Sequence, residues 1–108
     1  HYQGDPATEP LAFGGYTPLE KVYSYNPMPD SLPGDLKKYI LGAQGNIWTE
    51  YIPDFDHVQY MALPRMIALS EVLWTNRKDH TYEQFFVKLQ KHTEILNMLK
   101  VKYRNPTK

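Results

Sequence analysis

The 108-residue chain contains no cysteine. Disulfides, zinc–thiolate sites and thiol catalysis are excluded together. It has no charge of one sign in excess: twelve basic residues meet twelve acidic ones, and the formal net charge is zero. Phosphate-backbone binding needs a clustered positive surface, so no nucleic-acid partner is expected. No apolar run approaches the roughly 20 residues of a membrane span. The opening His1-Tyr2-Gln3-Gly4-Asp5 has neither the basic start nor the apolar stretch of a secretory signal. It also lacks an initiator methionine and reads as loop, so a piece of a longer protein is expected. There is no internal repeat and no low-complexity tract.

What is present falls into two halves. Six of the nine prolines lie in the first 35 residues, together with Gly4, Gly14, Gly15 and Gly34. That density of breakers predicts a long loop over 1–39. One short helix interrupts it: Thr17-Pro18-Leu19-Glu20 reads as a capping box with proline at the first helical position. This helix runs to about Tyr23 or Tyr25 and stops before Asn26-Pro27. Residues 35–39 predict a single helical turn. Residues 40–48, from Ile40 to Trp48, read as a buried strand whose Gly42, Ala43 and Gly45 admit close neighbours.

The period then changes. Val58, Met61, Ala62, Met66, Leu69, Val72 and Leu73 recur at three- and four-residue steps, predicting an amphipathic helix over 54–75. Asp54 or Asp56 caps its start, and Pro64 kinks or breaks it. Residues 76–80 form a polar turn. A second helix covers 81–102, opened by a capping box from Thr81 to Gln84. Its apolar stripe is Phe85, Leu89, His92, Leu96 and Leu99, widened by Phe86 and Ile95. Met61, Met66 and Trp74 read as core, and Asn105-Pro106 as coil. A single apolar strand followed by helices suggests a parallel α/β architecture. One strand cannot satisfy its own backbone donors and acceptors, so the rest of a sheet belongs to missing sequence or to another copy.

The stretch Trp48-Thr49-Glu50 carries the chemistry. On a strand, Trp48 and Glu50 share one face and Thr49 takes the other. The C-terminal end of such strands builds the site in parallel α/β folds. A flat indole beside a carboxylate suits a sugar: the ring takes the apolar C–H face, and the carboxylate accepts from hydroxyls. The same pair also fits a plainer role, with the indole in the core and the carboxylate in solvent. Tyr16, Tyr23, Tyr25 and Tyr51 are candidates to rim a glycan cleft, with Tyr51 the best placed. His57 and His80 read as surface residues near helix ends and His92 as a packed one, so no metal site and no cofactor is expected. Arg65 and Glu71 are too far apart on a helix to pair directly, and each reads as a cap or an ion-pair partner.

The segment "LGAQGNIWTEYIPDFDHVQYMALPRMIALSEVLW" closely resembles the end of the catalytic domain of glycoside hydrolase family 20, the β-N-acetylhexosaminidases. The matching motifs are Trp48-Thr49-Glu50, Leu63-Pro64-Arg65 and Glu71-Val72-Leu73-Trp74. Upstream, "GGYTPLEKVYSYNP" is similar to the family's loop and helix between strands seven and eight. The resemblance runs from about Gly14 to Trp74. It implies the fold: the C-terminal segment of a (β/α)₈ TIM barrel, mainly helical, with one or two strands in this chain.

The resemblance also implies that the parent protein releases terminal N-acetylglucosamine or N-acetylgalactosamine from glycans. Catalysis would be substrate-assisted and retaining. Trp48 would line the pocket, Glu50 would hold hydroxyls on the far side of the sugar, and Tyr51 is a third candidate. The family's catalytic Asp-Glu pair has no counterpart, since no such dipeptide occurs in the chain. No catalytic residue is therefore expected here, and the isolated chain should be inactive. Further expectations are contact with the remainder of the barrel, self-association through the unpaired strand, and a periplasmic, cell-surface or extracellular parent. The alternative from another class is a small helical interaction or carbohydrate-binding module without catalysis.

Overall fold

Helices dominate the computed structural model, which describes residues 1–76 and 81–107. They are α1 (Leu19–Tyr23), α2 (Phe55–Ala62), α3 (Arg65–Trp74) and α4 (Tyr82–Met98), with a 3₁₀ turn at Lys37–Tyr39. No helix is long and apolar enough to cross a membrane among these residues. Most of the expected polar turn, including His80, lies outside the described residues.

The helix expected over 54–75 is two helices. Leu63 caps α2 with extended backbone, φ −107° and ψ 138°, because a proline disfavours helical geometry in the residue before it. The Leu63–Pro64 bond is cis, and α3 starts at Arg65. Asp54 is the cap of α2: its carboxylate accepts from the His57 N–H at 2.8 Å. At α4 both arms of the Thr81–Gln84 capping box are present.

The last helix stops at Met98, short of the expected 102, for a local reason. The Val101 N–H donates to the Leu96 carbonyl at 2.9 Å and the Lys100 N–H to the Asn97 carbonyl at 3.0 Å. These two bonds, with Lys100 in the left-handed region at φ 56°, form a Schellman turn. It sends the chain back across α2, where the Lys102 N–H meets Gln59 Oε1 at 2.9 Å. The Arg104 N–H meets the Leu63 carbonyl at 3.1 Å.

Two expectations in the first half fail. The Thr17 capping box does not form: Pro18 is the helix cap and no side chain bonds to it. Thr17 is tied elsewhere, its hydroxyl to the His1 ring at 2.9 Å and its N–H to the Tyr2 carbonyl at 2.8 Å. The strand expected over 40–48 is not formed either. Among the described residues the sole ladder contact is one parallel bridge between Tyr2 and Tyr16. Residues 40–48 run without regular structure, since a strand is defined by a neighbour that supplies its bonds. Gly45 still uses its small size, lying against Met66 and Leu69 of α3.

The core forms where helices converge on α3. Leu19, Ala68, Phe85 and Leu89 make one buried cluster, flanked by Val22, Tyr23, Ile67, Tyr82 and Phe86. Ala68 is fully buried, so its single methyl is what lets α1 and α4 approach. Tyr23 stacks on Phe85 at 4.9 Å and its hydroxyl donates to the Thr81 carbonyl. Met61 is buried as expected, but Trp74 is 89% exposed and Met66 41%. On α4, Leu89 and Leu96 are buried, whereas His92, Ile95 and Leu99 of the expected stripe are exposed.

Three substitutions test this arrangement by urea unfolding. Leu89→Ala should cost about 2–5 kcal/mol, whereas Val87→Ala on the exposed face should stay within about 0.5 kcal/mol. Lys100→Gly should stabilise by about 1 kcal/mol, because glycine adopts the left-handed region without the penalty of a side chain. A lowered urea midpoint for Lys100→Gly would count against the turn.

Candidate functional site

The irregular stretch 45–52 is held between α3 and the loop 11–17. A turn closes its end, with the Ile52 N–H donating to the Thr49 carbonyl at 3.1 Å. A cavity of about 560 Å³ lies beside it. Trp48, Glu50 and Tyr51 all line this cavity, and Thr49 does not. The structure thus brings the three sequence-derived candidates to one rim. Trp48 is 71% exposed.

Other elements complete the walls. Met61, Met66 and Leu69 contribute an apolar floor, and Leu11, Ala12 and Phe13 an opposite wall. The Phe13 and Tyr51 rings meet edge to face at 5.5 Å, joining that wall to the Trp48 segment. Size and lining, apolar with a few polar groups, are those of a small-molecule site. Phe13 and Leu11 were not singled out from sequence. The available signal was a large apolar pair placed in a loop directly before Gly14-Gly15.

Arg65 is the polar corner of the cavity. Its guanidinium donates to the carbonyls of Met61, His1 (3.2 Å) and Thr17 (3.4 Å). Burial lowers its pKa from the ordinary value; the nearby Glu9 charge raises it, and Arg104 lowers it further. It therefore acts as a tie between helix and loop. Glu71, the other residue read as a cap or ion-pair partner, pairs with Lys88 of α4 at 3.2 Å.

The remaining candidates separate clearly. Tyr16 and Tyr25 are exposed away from the cavity lining, and Tyr23 belongs to the core cluster. His57 is half-buried rather than on the surface, and its Nε2 is buried without a hydrogen-bond partner. It lines a shallower recess next to Glu50 and Tyr51. Among the described residues no group of three His, Cys, Asp or Glu side chains stands close enough to hold a metal.

Next to the cavity, Tyr60 donates its hydroxyl to Glu9 Oε2 at 2.9 Å. Burial raises the Tyr60 pKa above its ordinary 10.0, and the bond to Glu9 and the Glu9 charge add to this; Arg104 opposes it. The folded chain thus holds the phenol proton more tightly than the unfolded chain. This group's contribution to stability is complete below about pH 10 and is lost as pH rises through the folded value. Tyr60→Phe should therefore reduce the alkaline loss of the urea midpoint. An identical alkaline decline in both proteins would contradict this.

Comparison with known proteins places the segment. Residues 1–77 match the family described as glycosyl hydrolase family 20, catalytic domain. A β-hexosaminidase of Porphyromonas gingivalis is 44% identical over 106 residues, covering 98% of this chain and 14% of the relative. A β-N-acetylhexosaminidase of Cellulomonas fimi is 30% identical over 82 residues, covering 76% of this chain and 16% of the relative. Among solved structures, the exo-β-N-acetylglucosaminidase of Vibrio harveyi in complex with N-acetylglucosamine superposes with a TM-score of 0.76 at 32% identity. That match covers 84% of this chain and 14% of the neighbour. The chain thus spans about one seventh of the length of these enzymes, and its fold is a mostly helical segment of a (β/α)₈ barrel.

Proposed function

Because the chain belongs to glycosyl hydrolase family 20, we propose that it is the part of a β-N-acetylhexosaminidase that supplies one side of the sugar pocket. The observation that carries this reading is the shared rim: Trp48 and Glu50 line one cavity with Tyr51 beside them. The indole provides a platform for the apolar face of a pyranose. The Glu50 carboxylate accepts hydrogen bonds from hydroxyls, and such charge-assisted bonds are stronger than neutral ones.

The reaction of the whole enzyme would be release of a terminal N-acetylglucosamine or N-acetylgalactosamine from a glycan. The substrate's own acetamido oxygen would attack the anomeric carbon, with retention of configuration. The proton donor and the group that orients the acetamide would come from elsewhere in the barrel, since this chain has no Asp-Glu pair. The isolated chain would accordingly bind at most weakly and hydrolyse nothing. The exposed run 40–52, with Leu41 at 96% exposure, favours contact with the remaining barrel or, in isolation, self-association. A periplasmic, cell-surface or extracellular parent accords with a glycan substrate and with a chain lacking cysteine.

The test is hydrolysis of a chromogenic N-acetylglucosaminide by the full-length protein, by its Trp48→Ala and Glu50→Ala variants, and by the 108-residue chain. Loss of a charged hydrogen bond is worth roughly 1.5–3 kcal/mol, so Glu50→Ala should slow turnover about ten- to a hundredfold. Variants as fast as the parent would refute the pocket assignment, and a hydrolytically active isolated chain would refute the division of labour.

A further inference from the structure

One wall of the cavity is the loop containing Leu11, Ala12, Phe13 and Thr17. Of these residues only Ala12 is itself buried. The far end of the loop is tied directly, by His1, Tyr2 and Arg65 to Gly15 and Thr17; the near end is fixed at Glu9. The Glu9 carboxylate accepts from Arg104 Nε at 2.5 Å through Oε1 and from the Tyr60 hydroxyl at 2.9 Å through Oε2. The Arg104 and Glu9 side chains are only 14% and 6% exposed. Ionic hydrogen bonds shielded from water belong to the strong class, and deleting one partner leaves the other charge buried. The chain comes close here: a Cβ on Gly4 would stand 2.6 Å from the Glu9 oxygen.

Arg104 is itself fixed. The Schellman turn at Lys100 reverses the chain, and the Lys102 and Arg104 N–H groups lay the tail on the Gln59 side chain and the Leu63 carbonyl. The buried Gln3 side chain bonds to the Tyr60 carbonyl at 2.8 Å. The first and last segments of the chain therefore grip the same stretch of α2, and Glu9–Arg104 is the joint between them. The wall in turn touches the Trp48 segment through the Phe13–Tyr51 ring contact.

We propose that Arg104, acting through Glu9, is a positioning residue for the Trp48 cavity. The segment after α4 serves as a strap that fixes the 11–17 wall against the bound sugar. The inference rests on the sugar-pocket reading and extends it to a segment beyond residues 1–77, the span of the family model. A displacement of about 1 Å in a substrate-positioning element is enough to cost on the order of a hundredfold.

The experiment uses the full-length protein and measures KM and kcat for an aryl N-acetyl-β-glucosaminide, with inhibition by N-acetylglucosamine as a direct reading of pocket affinity. Arg104→Gln and Glu9→Gln should each raise KM and the inhibition constant about tenfold, with kcat changed less. The double variant should be no worse than either single one, and Arg104→Lys should recover part of the loss. Wild-type KM in Arg104→Gln, or single effects that multiply in the double variant, would overturn the proposal. So would a loss confined to kcat that merely tracks the folded fraction. If Arg104→Gln does not fold, Arg104→Lys and Tyr60→Phe are read in the same way. Trp48→Ala, measured alongside, separates the two ideas. Raised KM there with wild-type KM in Arg104→Gln removes the strap alone, whereas wild-type KM in Trp48→Ala removes the pocket reading beneath it.

Discussion

Burial of Ala68 is the constraint on which the rest depends. Helix α3 touches α1, α2 and α4, and the fully buried methyl of Ala68 sets how closely they approach. A helix advances about 100° per residue. Ala68, Glu71 and Val72 therefore form one stripe, and Arg65, Met66 and Leu69 an adjacent one. The first stripe meets the core and the Lys88 ammonium; the second forms part of the cavity. One ten-residue helix thus transmits the packing of the core to the site. A larger side chain at position 68 would push α1 and α4 outward and would turn the Arg65 stripe away from the loop carbonyls it ties.

The second constraint is an incomplete sheet. Between Leu41 and Tyr51 no backbone N–H donates to another backbone group among the described residues. Leu41, Trp48 and Trp74 are all more than two-thirds exposed. Neither condition suits a finished domain, because unpaired strand edges and large apolar side chains are normally covered. Family membership accounts for both. The relatives carry about seven times this length, and a barrel strand receives its hydrogen bonds from neighbours on either side. The open cavity has the same origin, since a pocket at the strand ends of a barrel is assembled from several loops.

How much of this was legible in sequence follows from the range of each interaction. Asp54 and Thr81 were legible as caps because a cap is closed within three residues. The break at Pro64 was legible because proline acts on its immediate neighbour. The box at Thr17 has the same local signature and fails, because His1 and Tyr2 hold that residue from a distance. His92 has the periodicity of a buried residue but is exposed between buried Leu89 and Leu96, because periodicity carries no information about which positions of a face a neighbour covers. Trp48 and Glu50 were singled out as one face of a strand; no strand forms, and they line the same cavity from an irregular segment. Leu11 and Phe13 reach the cavity from a loop, whose composition shows two large apolar residues before Gly14-Gly15 but not what they pack against.

The same reasoning locates the boundary of the physical unit. The family model ends at residue 77, but neither the contacts nor the similarity to the Porphyromonas gingivalis relative stops there. Phe85 and Leu89 complete the core around Ala68, and Arg104 closes on Glu9 across 95 positions of chain. Closing so long a loop costs little more than closing a short one, about 0.6 kcal/mol per doubling of length. The α4 Schellman turn aims the tail at α2, where Lys102 and Arg104 bond to Gln59 and Leu63, and the shielded Glu9–Arg104 pair completes the closure. That pair lies at the neck of the loop that forms the cavity wall. The residues after 77 are thus structurally continuous with the site, although they share no motif with it.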